Sequence, residues 1–341
     1  MSASSTLTFY VEELPVKSII VALILCAAAA TASGRAVQFE DPAWEAYGNK
    51  AQLAFEEYLA RLRHSRNEQD QTLGLLVRLK EGDEDLGEIG RQWALSEPSS
   101  DSVRLAAIWT CPTREDSIQR RFCDQQRLLE RWQQIDPDNA LVWATRAARA
   151  DAEGDLQAFA DASDKVMAAD HFHNGFPDTL KLFRERMAAD KVYAQQPRGD
   201  RAIMALGIGL AIHNAFYSDL QALCPHGGRE PLRTDRAPLC RHLSRLMMAS
   251  GDGVLSGMIG NELAQAYTLD DSERRELIEW EAEQRELRTQ FSADPLHLMK
   301  PTEDGFPDQA DDFLQLWIKH GEREAMIRWL ATRPAATDRE Q

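Results

Sequence analysis

The fold of this chain is decided by residues 136–168, which read DPDNALVWATRAARADAEGDLQAFADASDKVMA. The opening DPDN is typical of a turn, and the run that begins at Leu141 consists mainly of residues that lose little rotamer freedom in a helix. Gly154-Asp155 interrupts this run before a second apolar pattern begins at Leu156. The stretch therefore predicts two helices joined by a tight turn.

The same alternation of helical segments and short turns extends along the chain in both directions. Alanine, leucine, glutamate, glutamine and arginine dominate, whereas alternating runs of β-branched residues, the pattern of a strand, do not occur. We therefore predict an all-α fold built as an array of antiparallel helix pairs. The sequence leaves open whether these pairs form an open solenoid or a compact bundle.

The N-terminal region has the three parts of a secretory signal peptide. The basic Lys17 is followed by an apolar run and by the small residues Ala30 and Ala32, which suit the narrow site of a signal peptidase. The apolar part is shorter than the ~20 residues that a helix needs to span a membrane. We predict that residues 1–32 are a signal peptide that is cleaved after Ala32.

Two further features of this region bear on its processing. Glu12 and Glu13 stand where a signal peptide is normally basic, and translation from Val16 would give a conventional short signal. Cys26 is a candidate for lipid attachment, but the bulky Leu25 before it does not suit that modification. We therefore favour Val16 over Met1 as the start of translation and do not expect a lipoprotein.

Removal of the signal leaves two helical segments. We predict an N-terminal repeat region at residues 33–197 and a C-terminal helical region at residues 198–341 that is continuous with the first. Residues 201–223 form the most apolar stretch of the mature chain, but polar residues interrupt it. This stretch predicts a buried helix and not a membrane span. We expect a periplasmic or secreted protein with no stable membrane span.

The charge of the chain restricts its partners. The formal net charge is −16. A general nucleic-acid-binding protein neutralises phosphates with a basic face, which this composition does not favour. We therefore exclude nucleic acid as the partner.

The cysteines of the mature chain are Cys111, Cys123, Cys224 and Cys240. An even number of cysteines in an exported chain favours disulfides. The four residues fall into two close pairs along the chain, so we expect Cys111 to bond Cys123 and Cys224 to bond Cys240.

The second pair also permits a metal site. Cys224 and His226, together with Cys240 and His242, repeat a Cys-x-His pattern. Two thiolates and two imidazoles are an adequate tetrahedral zinc set. This alternative requires free thiols, which an oxidising compartment does not leave, so we predict the disulfide and no cofactor.

One region resembles tetratricopeptide-like helical repeats. With Ala140 as the first repeat position, the aromatic Trp143, the small Ala147 and the turn Gly154-Asp155 fall where that family has them, and Pro137 matches the closing proline of a preceding unit. The resemblance implies a helix–turn–helix superhelix that binds partner proteins and carries no catalytic residues. The chain as a whole resembles exported helical proteins of Gram-negative bacteria.

Motifs of common enzymes are missing from the sequence. We find no Gly-x-Ser-x-Gly elbow, no phosphate-binding glycine loop and no His-Glu-x-x-His. His171 and His173 could converge on a metal only from a strand or a turn, because residues two apart diverge on a helix. Alternatively, the two histidines belong to a polar loop that connects two helices and ends at Gly175.

A second candidate cluster lies in the apolar stretch. His213, Asn214 and Tyr217 interrupt or follow it and could line a groove. The first hypothesis is therefore an exported protein-protein or peptide interaction module of the cell envelope, more consistent with this sequence than an enzyme. The alternative is a helical periplasmic enzyme or a ligand- or metal-binding protein with its site near His213 and the Cys224–Cys240 loop.

Overall fold

A computed structural model describes residues 53–62, 64–81, 85–112, 117–213, 217–226, 232–268, 270–293 and 305–332. Within these ranges the chain is helical and contains no β-strand, which confirms the all-α prediction. The predicted signal peptide with Val16 and Cys26, and Asn214 of the second cluster, lie outside the described residues.

The helices follow one another with short connections. They are α1 (residues 53–62), α2 (Glu68–Glu81), α3 (Leu86–Leu95), α4 (Ser100–Thr110), α5 (Ile118–Gln125), α6 (Leu128–Ile135), α7 (Ala140–Glu153), α8 (Leu156–Ala168), α9 (Phe176–Ala189), α10 (Arg198–His213), α11 (Tyr217–Leu223), α12 (Ala237–Ala249), α13 (Val254–Tyr267), α14 (Asp271–Ala293), α15 (Gln309–His320) and α16 (Glu322–Ala331). Single 3₁₀ turns occur at Tyr193–Gln195 and Thr234–Arg236.

The predicted helix pair is formed by α7 and α8. The side chain of Asn139 caps α7 by accepting a hydrogen bond from the backbone N–H of Leu141, at 3.0 Å. Gly154 ends α7 in the left-handed conformation with φ of 72°, which glycine adopts without a steric cost. Asp155 then caps α8 through the N–H of Ala158, at 3.0 Å. The break predicted at Gly154-Asp155 is confirmed.

Helices distant in the sequence also pack together. Besides the neighbouring pairs α7–α8, α12–α13 and α15–α16, α11 packs on α7 and α15 packs on both α9 and α10. The buried side chains form a single apolar cluster that extends from Phe55 in α1 to Trp329 in α16. The loops between helices are thereby brought together on the surface of a shared core.

Both predicted disulfides are present. Cys111, directly after α4, bonds Cys123 in α5 at an S–S distance of 2.08 Å. Cys224, directly after α11, bonds Cys240 in α12 at 2.03 Å. All four residues are fully buried. Each bond closes a short loop, which stabilises the fold by about 3 kcal/mol through restriction of the unfolded chain.

Among the described helices, none has the length and apolar character to cross a lipid bilayer.

The disulfide pattern gives a direct prediction. A tryptic digest of unreduced protein, denatured in guanidinium with an alkylating reagent present, should contain one linked pair of peptides for Cys111–Cys123 and one for Cys224–Cys240. Neither pair should carry the alkyl group, and reductant should separate both. Alkylation of these cysteines before reduction, or a link between the two pairs, would contradict the structure.

Candidate functional site

An open cleft of about 480 Å³ lies where three connections between helices meet. These connections are the α6–α7 turn, the α8–α9 loop and the α12–α13 loop, and α4 closes one side. We call it the histidine cleft. Its titratable side chains are Arg104, Asp136, Asp170, His171, His173, Asp178 and Asp252, and the apolar side chains of Leu246 and Ala249 lie beside them.

The α8–α9 loop is held in place by the buried side chain of Asn139. Its Oδ1 accepts a hydrogen bond from the backbone N–H of His173 at 3.1 Å, and its Nδ2 donates to the His173 carbonyl at 2.9 Å. The N–H of Ala140 donates to the carbonyl of His171 at 2.8 Å. Because these bonds satisfy the backbone of a loop, the two histidines are presented in a fixed orientation.

His173 is bound between two carboxylates. Its Nδ1 lies 3.0 Å from Oδ1 of Asp252, and its Nε2 lies 2.9 Å from Oδ2 of Asp178. Arg104 donates a further hydrogen bond to the same Asp178 oxygen at 2.9 Å, and the backbone N–H of Asn174 donates to Asp252. Both imidazole nitrogens can donate only when the ring is protonated. With both aspartates ionised, this geometry fits the imidazolium form.

The electrostatics agree with this geometry. Burial by itself lowers the pKa of His173, but the hydrogen bonds to Asp178 and Asp252 outweigh it and raise the pKa to about 10. Burial likewise acts to raise the pKa of Asp178, and the hydrogen bond from His173 outweighs it, so that this pKa lies below its ordinary value. The group is thus an ion triad at neutral pH, and His173 is a poor general base there.

His171 forms a second and more exposed arrangement of the same kind. Its Nδ1 lies 2.6 Å from Oδ1 of Asp170, and its Nε2 lies 3.0 Å from Oδ1 of Asp136. The side chain of His171 is 42% exposed, compared with 22% for His173. The two histidines therefore do not converge on a metal, and each is bound between aspartates.

A buried hydrogen-bonded chain extends behind the cleft. Nδ2 of Asn174 donates to Oγ of Ser256 at 2.7 Å, and the hydroxyl of Tyr217 lies 3.5 Å from the same oxygen. Burial raises the pKa of Tyr217 above its ordinary value. The structure thus brings Tyr217, a candidate from the sequence, next to the His171–His173 loop. His213 lies at the end of α10, and its side chain is outside the described part of the chain.

The four residues of the alternative zinc set have other partners. The sulfurs of Cys224 and Cys240 are bonded to each other. Nδ1 of His226 lies 2.9 Å from the carbonyl oxygen of Cys224, and Nε2 of His242 lies 3.1 Å from the carbonyl oxygen of Ala169. In the described ranges no group of three or more potential ligands is placed to hold a metal ion.

Several residues of the cleft were not singled out by the sequence. Asp252 follows Ser250-Gly251 in a stretch that reads as an ordinary helix-opening turn, and Asn139 reads as part of a turn. Arg104 and Asp178 belong to helices without a motif. The only sequence pattern that could have identified Asp252 is a carboxylate between two glycines. Many turns have this pattern, so it does not mark a site.

Comparison of the chain with protein-family models, with curated proteins and with solved structures finds no match. The resemblance to tetratricopeptide-like repeats therefore remains a prediction, and the role of the histidine cleft must be inferred from its geometry.

The raised pKa of His173 predicts how stability depends on pH. The stabilisation from a protonated His173 is fully present below the unfolded pKa of about 6.5 and is lost as the pH rises through about 10. We expect His173→Gln to lower the free energy of unfolding by about 2–3 kcal/mol near pH 6, because two carboxylates lose their partner. The difference between wild type and variant should shrink toward pH 10.

Urea unfolding of both proteins from pH 6 to pH 10 measures this difference. Other groups that titrate in this range are common to both proteins and cancel. The matched control is His171→Gln, which removes the more exposed ring and should cost less than about 1 kcal/mol. A difference that stays constant or grows with pH would show that His173 is not held as an imidazolium.

Proposed function

We propose that this protein is an exported helical protein that binds a partner protein or peptide segment in the histidine cleft. The observation that supports the proposal is the fixed polar cleft itself. Side chains from three loops converge there, and buried hydrogen bonds from Asn139 and His173 hold the central loop. A site whose groups are already ordered loses less conformational entropy when a partner binds.

The lining of the cleft suits a polypeptide better than an apolar small molecule. Sites for small molecules are mostly apolar and enclosed, with few polar groups. Here seven of the twelve described lining residues carry titratable side chains, and the apolar contribution includes Phe172 in the α8–α9 loop and Leu246 and Ala249 on α12. A polar rim beside a small apolar patch is the usual composition of a protein interface.

The charge of the rim indicates a basic partner. Among its described residues the cleft contains four carboxylates, those of Asp136, Asp170, Asp178 and Asp252, but only two cations, Arg104 and protonated His173. The side chain of Asp170 is 78% exposed. The whole chain carries a formal net charge of −16, which attracts cationic groups at long range. We infer that the partner segment presents lysine or arginine side chains, with complementary charge setting its orientation.

Export is supported by the cysteines and by the sequence pattern at the N-terminus. Two disulfides persist in an oxidising compartment and are rare in the cytosol. Residues 1–32 carry the pattern of a cleaved signal peptide. We propose a periplasmic or secreted location, in which case the N-terminal peptide of the mature protein begins at Ser33.

The alternative function is an enzyme or a ligand- or metal-binding protein with a site near His213 and the Cys224–Cys240 loop. Of its candidate residues, Tyr217 lies behind the histidine cleft, next to Ser256, to which Asn174 donates a hydrogen bond.

Site-directed photocrosslinking tests the proposal. A photoreactive amino acid in place of Ala249, which is exposed and lines the cleft, should give a discrete adduct in the cells that produce the protein. The same amino acid in place of the exposed Ala152, on α7, should not. Asp170→Lys should reduce the Ala249 adduct at least about fivefold, because it reverses a charge at the rim.

The matched control for charge is Asp164→Lys, which makes the same change at an exposed position on α8. It should leave the adduct unchanged. Equal adducts from Ala249 and Ala152, or equal losses in the two charge-reversal variants, would mean that the cleft is not the binding site.

A further inference from the structure

A second cleft, of about 490 Å³, lies at the opposite end of α9 from the histidine cleft. It is formed by α1, by the start of α2 and by the C-terminal end of α9. We call it the tyrosine cleft. Its polar lining includes the side chains of Tyr58, Arg61, Asp70, Arg186, Asp190 and Lys191.

One of its carboxylates, that of Asp190, is already saturated. Arg61 donates to both of its oxygens through Nε and Nη2, each at 2.9 Å. The backbone N–H groups of Val192 and Tyr193 donate to Oδ1 at 3.0 Å and 2.7 Å. Asp190 therefore has little capacity left to bind a cationic ligand.

The second carboxylate, that of Asp70, is bound in the same way. Arg186 donates to its two oxygens through Nε at 2.6 Å and Nη2 at 3.1 Å. The hydroxyl of Ser65 donates to Oδ2 at 2.7 Å. Each acidic group of the cleft is thus neutralised by one arginine through two hydrogen bonds. Bidentate arginine–carboxylate pairs of this kind are among the strongest hydrogen-bonded pairs in proteins.

The groups of this cleft that can still bind a ligand are hydrogen-bond donors. A guanidinium has five N–H groups, and each arginine uses two of them on its aspartate. Arg61 has one further and longer contact, 3.9 Å to the exposed Glu57. Lys191 is exposed at the edge of the cleft and adds a positive charge that neither carboxylate offsets.

Tyr58 gives an independent indication of a ligand site. Its side chain is 1% exposed, and its hydroxyl is buried with no hydrogen-bond partner among the described residues. The ring packs on Tyr193 at a centroid distance of 5.3 Å, and Tyr58 lines the cleft. Buried polar groups are nearly always paired, so an unpaired hydroxyl on a residue that lines a cleft favours an occupant.

We propose that the tyrosine cleft binds an anion that carries a phosphate group. The phosphate oxygens accept hydrogen bonds from Tyr58, from Lys191 and from the remaining N–H groups of Arg61 and Arg186. A phosphate offers more acceptor oxygens than a carboxylate, and both arginine, through paired N–H groups, and lysine, as a point charge, bind it. The group is either a free phosphate compound or a phospholipid headgroup.

The sequence around α1 supports this choice of charge. Residues 61–66 read RLRHSR, so three arginines and a histidine occur within six positions of a chain whose formal net charge is −16. An anion-binding site in such a chain needs a local excess of cationic groups, because the overall field repels anions.

Calorimetric titration of the mature protein with inorganic phosphate, at constant ionic strength in chloride, tests the proposal. We expect saturable binding to one site, and at least tenfold weaker binding of acetate. Tyr58→Phe should weaken phosphate binding about tenfold, as expected for loss of a hydrogen bond to a charged ligand. Its folded state should be at least as stable as that of wild type, because an unpaired buried hydroxyl is removed.

Lys191→Gln removes the unpaired charge and should weaken phosphate binding about three- to tenfold. The matched control is Lys319→Gln on α15, where the same exposed charge is removed far along the chain, and its affinity should equal that of wild type. Neither substitution touches the core, so loss of folding does not confuse the comparison.

Vesicles distinguish the two sources of the phosphate. Co-sedimentation with phosphatidylcholine vesicles that contain phosphatidylglycerol, abolished by Tyr58→Phe, identifies a lipid headgroup, whereas phosphate binding alone identifies a soluble compound. The proposal is wrong if neither probe binds, if acetate binds as tightly as phosphate, or if Tyr58→Phe binds both probes like wild type. None of these results bears on the histidine cleft, which shares no side chain with this site.

Discussion

The arrangement of the histidine cleft depends on one half-buried imidazolium, that of His173. Asp178 on α9 and Asp252 in the α12–α13 loop bind its two nitrogens, at 2.9 Å and 3.0 Å. Through this ring the first turn of α9 is joined to a loop that comes much later in the chain. Removing one member of such a buried group leaves a charge without a partner, which is far more costly than never having had the pair.

The consequence is a cleft whose central loop is held in place by hydrogen bonds. The α8–α9 loop cannot move without breaking the bonds of Asn139 to the backbone of His173 and the bonds of His173 to the two aspartates. The carboxylate of Asp178 therefore stays at the cleft in a fixed orientation. Rigid placement of charged groups favours specificity and rapid association of a complementary partner more than it raises affinity.

The local features of the fold could be predicted from the sequence. Gly154-Asp155 ends one helix and begins another because glycine adopts a positive φ and aspartate caps, and both effects act within a few residues. The disulfides followed from the short separations within each cysteine pair, 12 and 16 residues. These are properties of neighbouring residues, which a sequence displays directly.

The site could be predicted only in part, because its contacts are not local. His171 and His173 were recognised as a polar loop or a metal pair, but the partner Asp252 lies 79 residues beyond His173. Arg61 and Asp190 are 129 residues apart in the sequence, and no periodic sequence pattern indicates that they pair. Such contacts arise from how helices that are distant in the sequence pack together, as α9 does on α2 and on α15, which composition and spacing do not determine.

A double-mutant cycle on His173 and Asp252 tests the central claim most directly. The two alanine variants and the double variant should be unfolded in urea near pH 7. If the pair joins the two parts of the chain, the cost of the double substitution should fall short of the sum of the single costs by at least ~1.5 kcal/mol. Costs that add to within about 0.5 kcal/mol would show that the two side chains act independently, and the central role of His173 would be wrong.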